Sequence, residues 1–184
     1  MGLRRTTQPV GEPVSLEEAK LHLRVDHDDE DDRIKSLIVT ARMDAERRLR
    51  RTLLLSGWTL TCDDFGALYE LPMAPLVAVT SIAYVDAMGA PQVLAPTAYR
   101  VDPTSEPGRV VRVSQWPFTA RQPAAVTVIY TAGYAVAADV PAPIRQWILL
   151  AVGDLYANRE ASAERPKVPQ DFADRLLDPY KIWG

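Results

Sequence analysis

The 184-residue sequence is poor in the residues from which most catalytic and metal sites are built: it has one cysteine, two histidines and nine glycines. Cys62 alone excludes an internal disulfide and any cysteine-rich zinc site. It falls on a predicted strand with no histidine near it in sequence, where an inert thiol is the expected state. His22 and His27 stand five apart, which is not the spacing of a zinc-binding pair. The glycines do not cluster, so there is no phosphate-binding loop and no dinucleotide fingerprint, and no nucleophile elbow occurs. No apolar run approaches about 18 residues, so no membrane-spanning helix is predicted. Arg4 and Arg5 have no hydrophobic stretch behind them, as a secretory signal would need. A basic excess is lacking too. The 21 Lys and Arg stand against 24 Asp and Glu, net −3, which speaks against a bulk nucleic-acid binder. These absences predict a protein that is not an enzyme, holds no cofactor or metal, and has no place in a membrane.

What is present is an ordinary globular composition, 47% hydrophobic and 24% charged, at the length of one domain or one domain with an insertion. The charge is unevenly spread. Residues 1–56 carry 11 basic and 11 acidic side chains, 57–140 carry four and seven, and 141–184 carry six and six. Charged ends around a charge-poor middle predict three segments: helical, strand-rich, helical. The expected fold is α+β. A helical bundle is built from residues 1–56 and 141–184, and a small antiparallel β domain, sandwich or barrel-like, is inserted as residues 57–140.

Ser15 is placed to cap a helix, with Glu18 at the reciprocal capping-box position and Val14 before the cap for a hydrophobic staple. This helix is short, about ten residues, and needs tertiary support. It ends near Arg24-Val25. From Asp26 to Asp32 there are then six acids in seven positions. Asp28, Asp29, Asp31 and Asp32 read first as acids that complement the dipole of the following helix and cap its free N–H groups. A calcium loop would need a glycine at its sixth position, and the run has none. Ile34, Leu37, Ile38, Ala41, Ala45 and Leu49 recur at helical spacing and predict a helix over 29–51. Its other face carries Arg33, Lys35, Arg42, Arg47, Arg48, Arg50 and Arg51. The last four of these suit a helix C-terminus electrostatically, and they equally suit a grip on phosphate or an acidic partner.

From Trp58 the period changes to two. Strands are expected over 58–63, 68–72, 77–86, 92–94, 99–102, 109–113 and 125–134, with turns at 87–90 and at Ser105-Glu106-Pro107-Gly108. Pro141 and Pro143 then open a helix whose stripe is Ile144, Ile148, Leu149, Val152, Leu155 and Tyr156. It ends near Asn158-Arg159-Glu160. Trp147 lies off the centre of the stripe, set to touch the β domain or a partner. Ala161 to Pro169 reads as a polar loop and 171–177 as a last short helix. The chain closes on Asp178-Pro179-Tyr180-Lys181-Ile182-Trp183. Tyr180, Ile182 and Trp183 are unusual on a free tail; they either fold back on the helices or dock into another chain.

The ordered set of these motifs resembles the phage head–tail connector (adaptor) proteins of long-tailed phages, prophages and gene transfer agents. It runs from Pro13-Val14-Ser15-Leu16-Glu17-Glu18 and the acidic run before Ile34, through Val79-Thr80-Ser81-Ile82-Ala83-Tyr84-Val85-Asp86, Tyr99-Arg100-Val101-Asp102 and Tyr130-Thr131-Ala132-Gly133-Tyr134. It continues through Val140-Pro141-Ala142-Pro143-Ile144 and Tyr156-Ala157-Asn158-Arg159-Glu160 to Leu177-Asp178-Pro179-Tyr180-Lys181-Ile182-Trp183. The resemblance implies a structural virion protein, made in the bacterial host cytoplasm and placed at the head–tail joint. It implies a ring of twelvefold symmetry beneath the portal protein, extending the channel through which DNA passes as cargo. A stopper or tail-completion protein would dock below. The family's C-terminal segment reaches the portal, which gives that role to Tyr180, Ile182 and Trp183. Between neighbouring copies, or toward the channel, Asp28, Asp29, Asp31 and Asp32 would meet Arg47, Arg48, Arg50 and Arg51. The alternative is another head-completion or tail-joining protein, such as a stopper or tail terminator.

Overall fold

The computed structural model describes residues 1–158 and 171–183. The chain folds as two compact units, one of residues 1–10 and 55–134, the other of residues 11–54 and 135–184.

The strands of the first unit are β1 (Gly2–Thr7), β2 (Ser56–Cys62), β3 (Glu70–Leu71), β4 (Leu76–Val85), β5 (Pro91–Val93), β6 (Tyr99–Asp102), β7 (Gly108–Arg112) and β8 (Val126–Ala132). They form a five-stranded sheet in the order β1-β2-β8-β4-β5 and a three-stranded sheet in the order β3-β7-β6. All pairings are antiparallel. Alternation decides which side is buried. Along β2, Trp58, Leu60 and Cys62 point inward, opposite Tyr130, Val128 and Val126 of β8. Leu71 and Val110 of the smaller sheet join Leu60, Ile82 and Val128 of the larger one in a single apolar core. The sheets meet closely at Gly108, where a Cβ would collide with the Leu76 side chain.

Two expectations are corrected here. The sheets do not close into a barrel. Closure needs the edge strands to pair, and β1 and β5 stand at opposite edges, each bonded on one side only. Residues 1–10 also belong with the strands and not with the helices. Gly2 to Thr7 pairs with β2, from Gly2 opposite Thr61 to Thr7 opposite Gly57. A single six-residue strand has no local signal of its own; it is made by its partner.

The second unit contains α1 (Leu16–Leu23), α2 (Asp31–Leu49), α3 (Ala142–Ala157) and the short α4 (Asp171–Arg175). α1, α2 and α3 each touch the other two. Their buried aliphatic residues are Ala19 on α1, Ile34, Ile38, Ala41, Ala45 and Leu49 on α2, and Ile144, Ile148 and Val152 on α3. Both halves of the predicted capping box are present: Glu18 N–H donates to Ser15 Oγ at 3.1 Å, and Ser15 N–H to Glu18 Oε2 at 2.8 Å. α1 and α2 both end on arginines in the left-handed conformation, Arg24 at φ 58° and Arg50 at φ 55°. Glycine is the usual residue there, so each arginine costs about 1 kcal/mol.

Three more expectations change. Arg42 and Arg51 are not on the solvent face of α2; they are 3% and 6% exposed. Trp147 is buried inside this unit, where its Nε1–H donates to Asp174 at 3.3 Å. The acidic run does not cap α2 through its side chains: the cap residue, Glu30, makes no side-chain cap bond. Arg159 and Glu160 and the predicted loop from Ala161 to Pro169 lie outside the described residues. Among the described residues, no helix is long and apolar enough to cross a membrane.

Candidate functional site

The acidic run, the arginine cluster and the C-terminal segment all fall in the helical unit. α2 has the acids at its start and the arginines at its end, separated by its length of about 28 Å.

The acids are partly committed inside the chain. Lys20 on α1 donates to Asp28 at 2.6 Å and Asp31 at 2.8 Å. These bonds hold the Lys20 ammonium above its ordinary range and the Asp28 carboxyl below. Asp32 receives Lys35 at 3.0 Å, one turn on. Glu30 accepts the Tyr156 hydroxyl, and the Arg33 guanidinium lies 5.4 Å over the Tyr156 ring. Asp29 and Asp32 keep almost all of their side chains in water, at 94% and 99% exposure. Among the described residues, no group of three His, Cys, Asp or Glu side chains is arranged to hold a metal ion.

The arginines divide into two kinds. Arg48 is woven into the unit: its Nε donates to Asp44 at 2.8 Å, its Nη1 to Asp174 at 3.1 Å, and its guanidinium sits 5.4 Å over Trp147. Burial works upward on the Asp44 carboxyl, but the bonds from Arg47 and Arg48 outweigh it and hold the group below its usual range. Arg51 is buried and donates to the Tyr180 carbonyl. Arg47 also touches Asp44, yet its side chain is 77% exposed, and Arg50 is exposed.

The same helix end holds the C-terminus. Arg51 takes the Tyr180 carbonyl, and Ile182 N–H donates to the Leu49 carbonyl at 3.1 Å. Leu177 is buried, and Tyr180 and Ile182 are half-buried. Trp183 projects at 74% exposure, with Lys181 Nζ 4.4 Å from its ring centre. The segment is therefore anchored by backbone at 180–182 and presents one large aromatic.

A further surface in the β unit was not legible as a site. Asp63, Asp64, Phe65, Trp116, Phe118 and Arg121 border an open groove of about 690 Å³. The sequence signal is Trp116-Pro117-Phe118, two aromatics around a proline between two strands, and it carries no known chemistry on its own.

Residues 13–84 match the phage gp6-like head-tail connector protein family. The matched stretch runs from the α1 cap through α2 and β2 to the end of β4. The sequence resemblance is thus carried by a family model over that stretch. The fold extends the likeness to the whole chain. The neck of an empty gene transfer agent particle, computed with sixfold symmetry, contains a chain with a TM-score of 0.83 and 23% identity, covering 100% of this chain and 97% of that one. A chain in the virion of a native gene transfer agent particle agrees equally well, at 0.83 and 23%, over the same coverage. A third, in the neck of a native particle computed with twelvefold symmetry, gives 0.77 and 20%, again over 100% and 97%. No curated protein matches the sequence.

Proposed function

We propose that this protein is a head–tail connector: a structural, non-enzymatic part of a phage or gene transfer agent particle, sitting in the neck. The observation that carries this reading is a family match over 13–84 inside a fold that agrees over the full chain with neck proteins. A connector has no reaction to perform. Its work is geometric, and the chain's features suit that. Helices joined by ion pairs, Lys20 of α1 with Asp31 of α2 and Arg145 of α3 with Glu18 of α1, suit a stiff body, and a net charge of −3 keeps passing DNA from adhering.

In this reading the copies form a ring beneath the portal protein, of twelvefold symmetry, around a channel that DNA crosses as cargo. A ring needs heterologous contacts that close by rotation, so two different faces of each copy must fit. The helical unit is a bundle that forms the body of the connector. The C-terminal segment docks into the portal, with Trp183 as the inserted anchor and with Tyr180 and Ile182 held by Arg51 and the Leu49 carbonyl. Asp29 and Asp32 at one end of α2, and Arg47 and Arg50 at the other, are the charges left outermost for subunit or channel contacts. A stopper or tail-completion protein binds below.

The test is deletion of the gene in its native producer, with electron microscopy of the induced lysate. Heads accumulating beside separate, complete tails are the expected outcome. Intact particles would remove the connector reading.

A further inference from the structure

We propose that the groove beside Phe118 receives the C-terminal half of α2 from a second copy of this chain, forming one repeating contact of the ring. This rests on the ring reading above. Phe118 is 79% exposed, but its loop is well anchored. Trp116 stacks on Phe65 at 4.9 Å with 12° between the rings, Thr119 bridges to Asp86, and Ala120 N–H donates to the Val85 carbonyl at 2.9 Å. A large aromatic held out to water by an anchored loop is a docking feature.

The chemistry of the groove selects its occupant. Asp63 and Asp64 each accept one backbone N–H, from Ala124 at 2.9 Å and from Gly66 at 2.7 Å. Each carboxylate has a second oxygen for an incoming donor. The groove therefore asks for an apolar group beside cations. α2 carries that set: Met43 is 57% exposed, the Arg47 side chain is 77% exposed, and Arg50 is exposed. Met43 and Arg47 lie at positions i and i+4 on one face of the helix, and Arg50 follows as its left-handed cap. A methionine thioether packs well against an aromatic ring, and arginine forks match carboxylates. The arginines of the incoming helix face Asp63 and Asp64. The giving and receiving patches differ, so the contact is head-to-tail, the kind that a closed ring repeats.

The first experiment places Met43→Cys and Phe118→Cys in one chain, in particles from the producing cells. Mild oxidation and a non-reducing gel follow; Cys62 is buried and does not contribute. A ladder of oligomers from the double variant, with monomer from either single variant, is expected. Monomer alone, with the chain present in the particles, overturns this contact and leaves the ring reading standing. A chain absent from wild-type particles overturns both. The second experiment reverses charge. Arg47→Glu with Arg50→Glu lowers joined particles by at least about tenfold, as does Asp63→Arg with Asp64→Arg. All four together restore them. Failure of that restoration, with each variant folded by circular dichroism, also overturns the contact.

Discussion

The two units handle polar groups in opposite ways. Among the described residues, the buried charged side chains Arg42, Glu46 and Arg51 all belong to the helical unit. The β core around Leu60, Ile82 and Val128 holds no charge. Its Tyr130 hydroxyl, whose pKa burial pushes up, donates to the Pro72 carbonyl at 2.9 Å. The reason lies in the backbone. Paired strands satisfy their own N–H and C=O groups, and alternation leaves only apolar side chains inside. In the helical unit, irregular segments run past the helices with no ladder to join. Leu53 N–H finds its acceptor in Glu46, at 2.9 Å, and Glu46 takes Arg42 at the same distance. Arg42 in turn holds Glu12 at 2.6 Å. Side chains do there what strand pairing does in the other unit.

The largest expected effect breaks this arrangement. Arg42→Ala removes the guanidinium that bonds Glu12 and the buried Glu46 and costs about 3–5 kcal/mol in urea unfolding. A loss under about 1 kcal/mol would mean that the triad is solvated and that the contrast between the units is overstated. The counterpart in the β unit is Leu60→Ala, a fully buried side chain. It costs about 3 kcal/mol through lost burial and the cavity left behind. Its cost is independent of salt, because no charge is involved, and denaturation at two ionic strengths checks this.

Smaller effects sharpen the comparison. Ser15→Ala removes the cap of α1 and costs about 1 kcal/mol, read from the shift in the unfolding midpoint. The β unit has its own local polar device in Asp102. Hydrogen bonds from Ser105 and Thr104 lower its carboxyl pKa to about 2. The value in the folded protein lies below the unfolded value of about 3.9, so these bonds stabilise the turn above that pH and fade as pH falls toward 2. Titration of the Asp102 carboxyl carbon by NMR checks it; a midpoint at the ordinary value means that the turn is not formed.

Much of this was legible residue by residue. The capping box of Ser15 and Glu18, the stripe of α2 and the alternation of β2 are set by neighbours within a few positions, and local spacing encodes them. The strand over 99–102 was read with its observed bounds for the same reason. β1 was not legible, since Gly-Leu-Arg-Arg-Thr-Thr becomes a strand only when β2 lies beside it. Arg42 was read as a surface residue because an arginine near an apolar stripe usually is one. Only Glu12, thirty positions away, and Glu46 make its burial possible. The candidate site followed the same division. The positions of Arg47 and Trp183 could be named from the sequence, but their exposure and the engagement of Arg48 and Arg51 could not.

The sequence by itself determined where helices begin, which faces are apolar, and that three segments of different character follow one another. It also carried an ordered set of motifs that resembles the phage head–tail connector proteins, and residues 13–84 match that family. Tertiary structure alone decided that residues 1–10 complete a sheet and which arginines are held inside. It also decided that the chain's end is tied to α2 with Trp183 left outward. Local choices depend on spacing along the chain; these depend on groups that meet only after long loops close, and spacing does not encode such meetings.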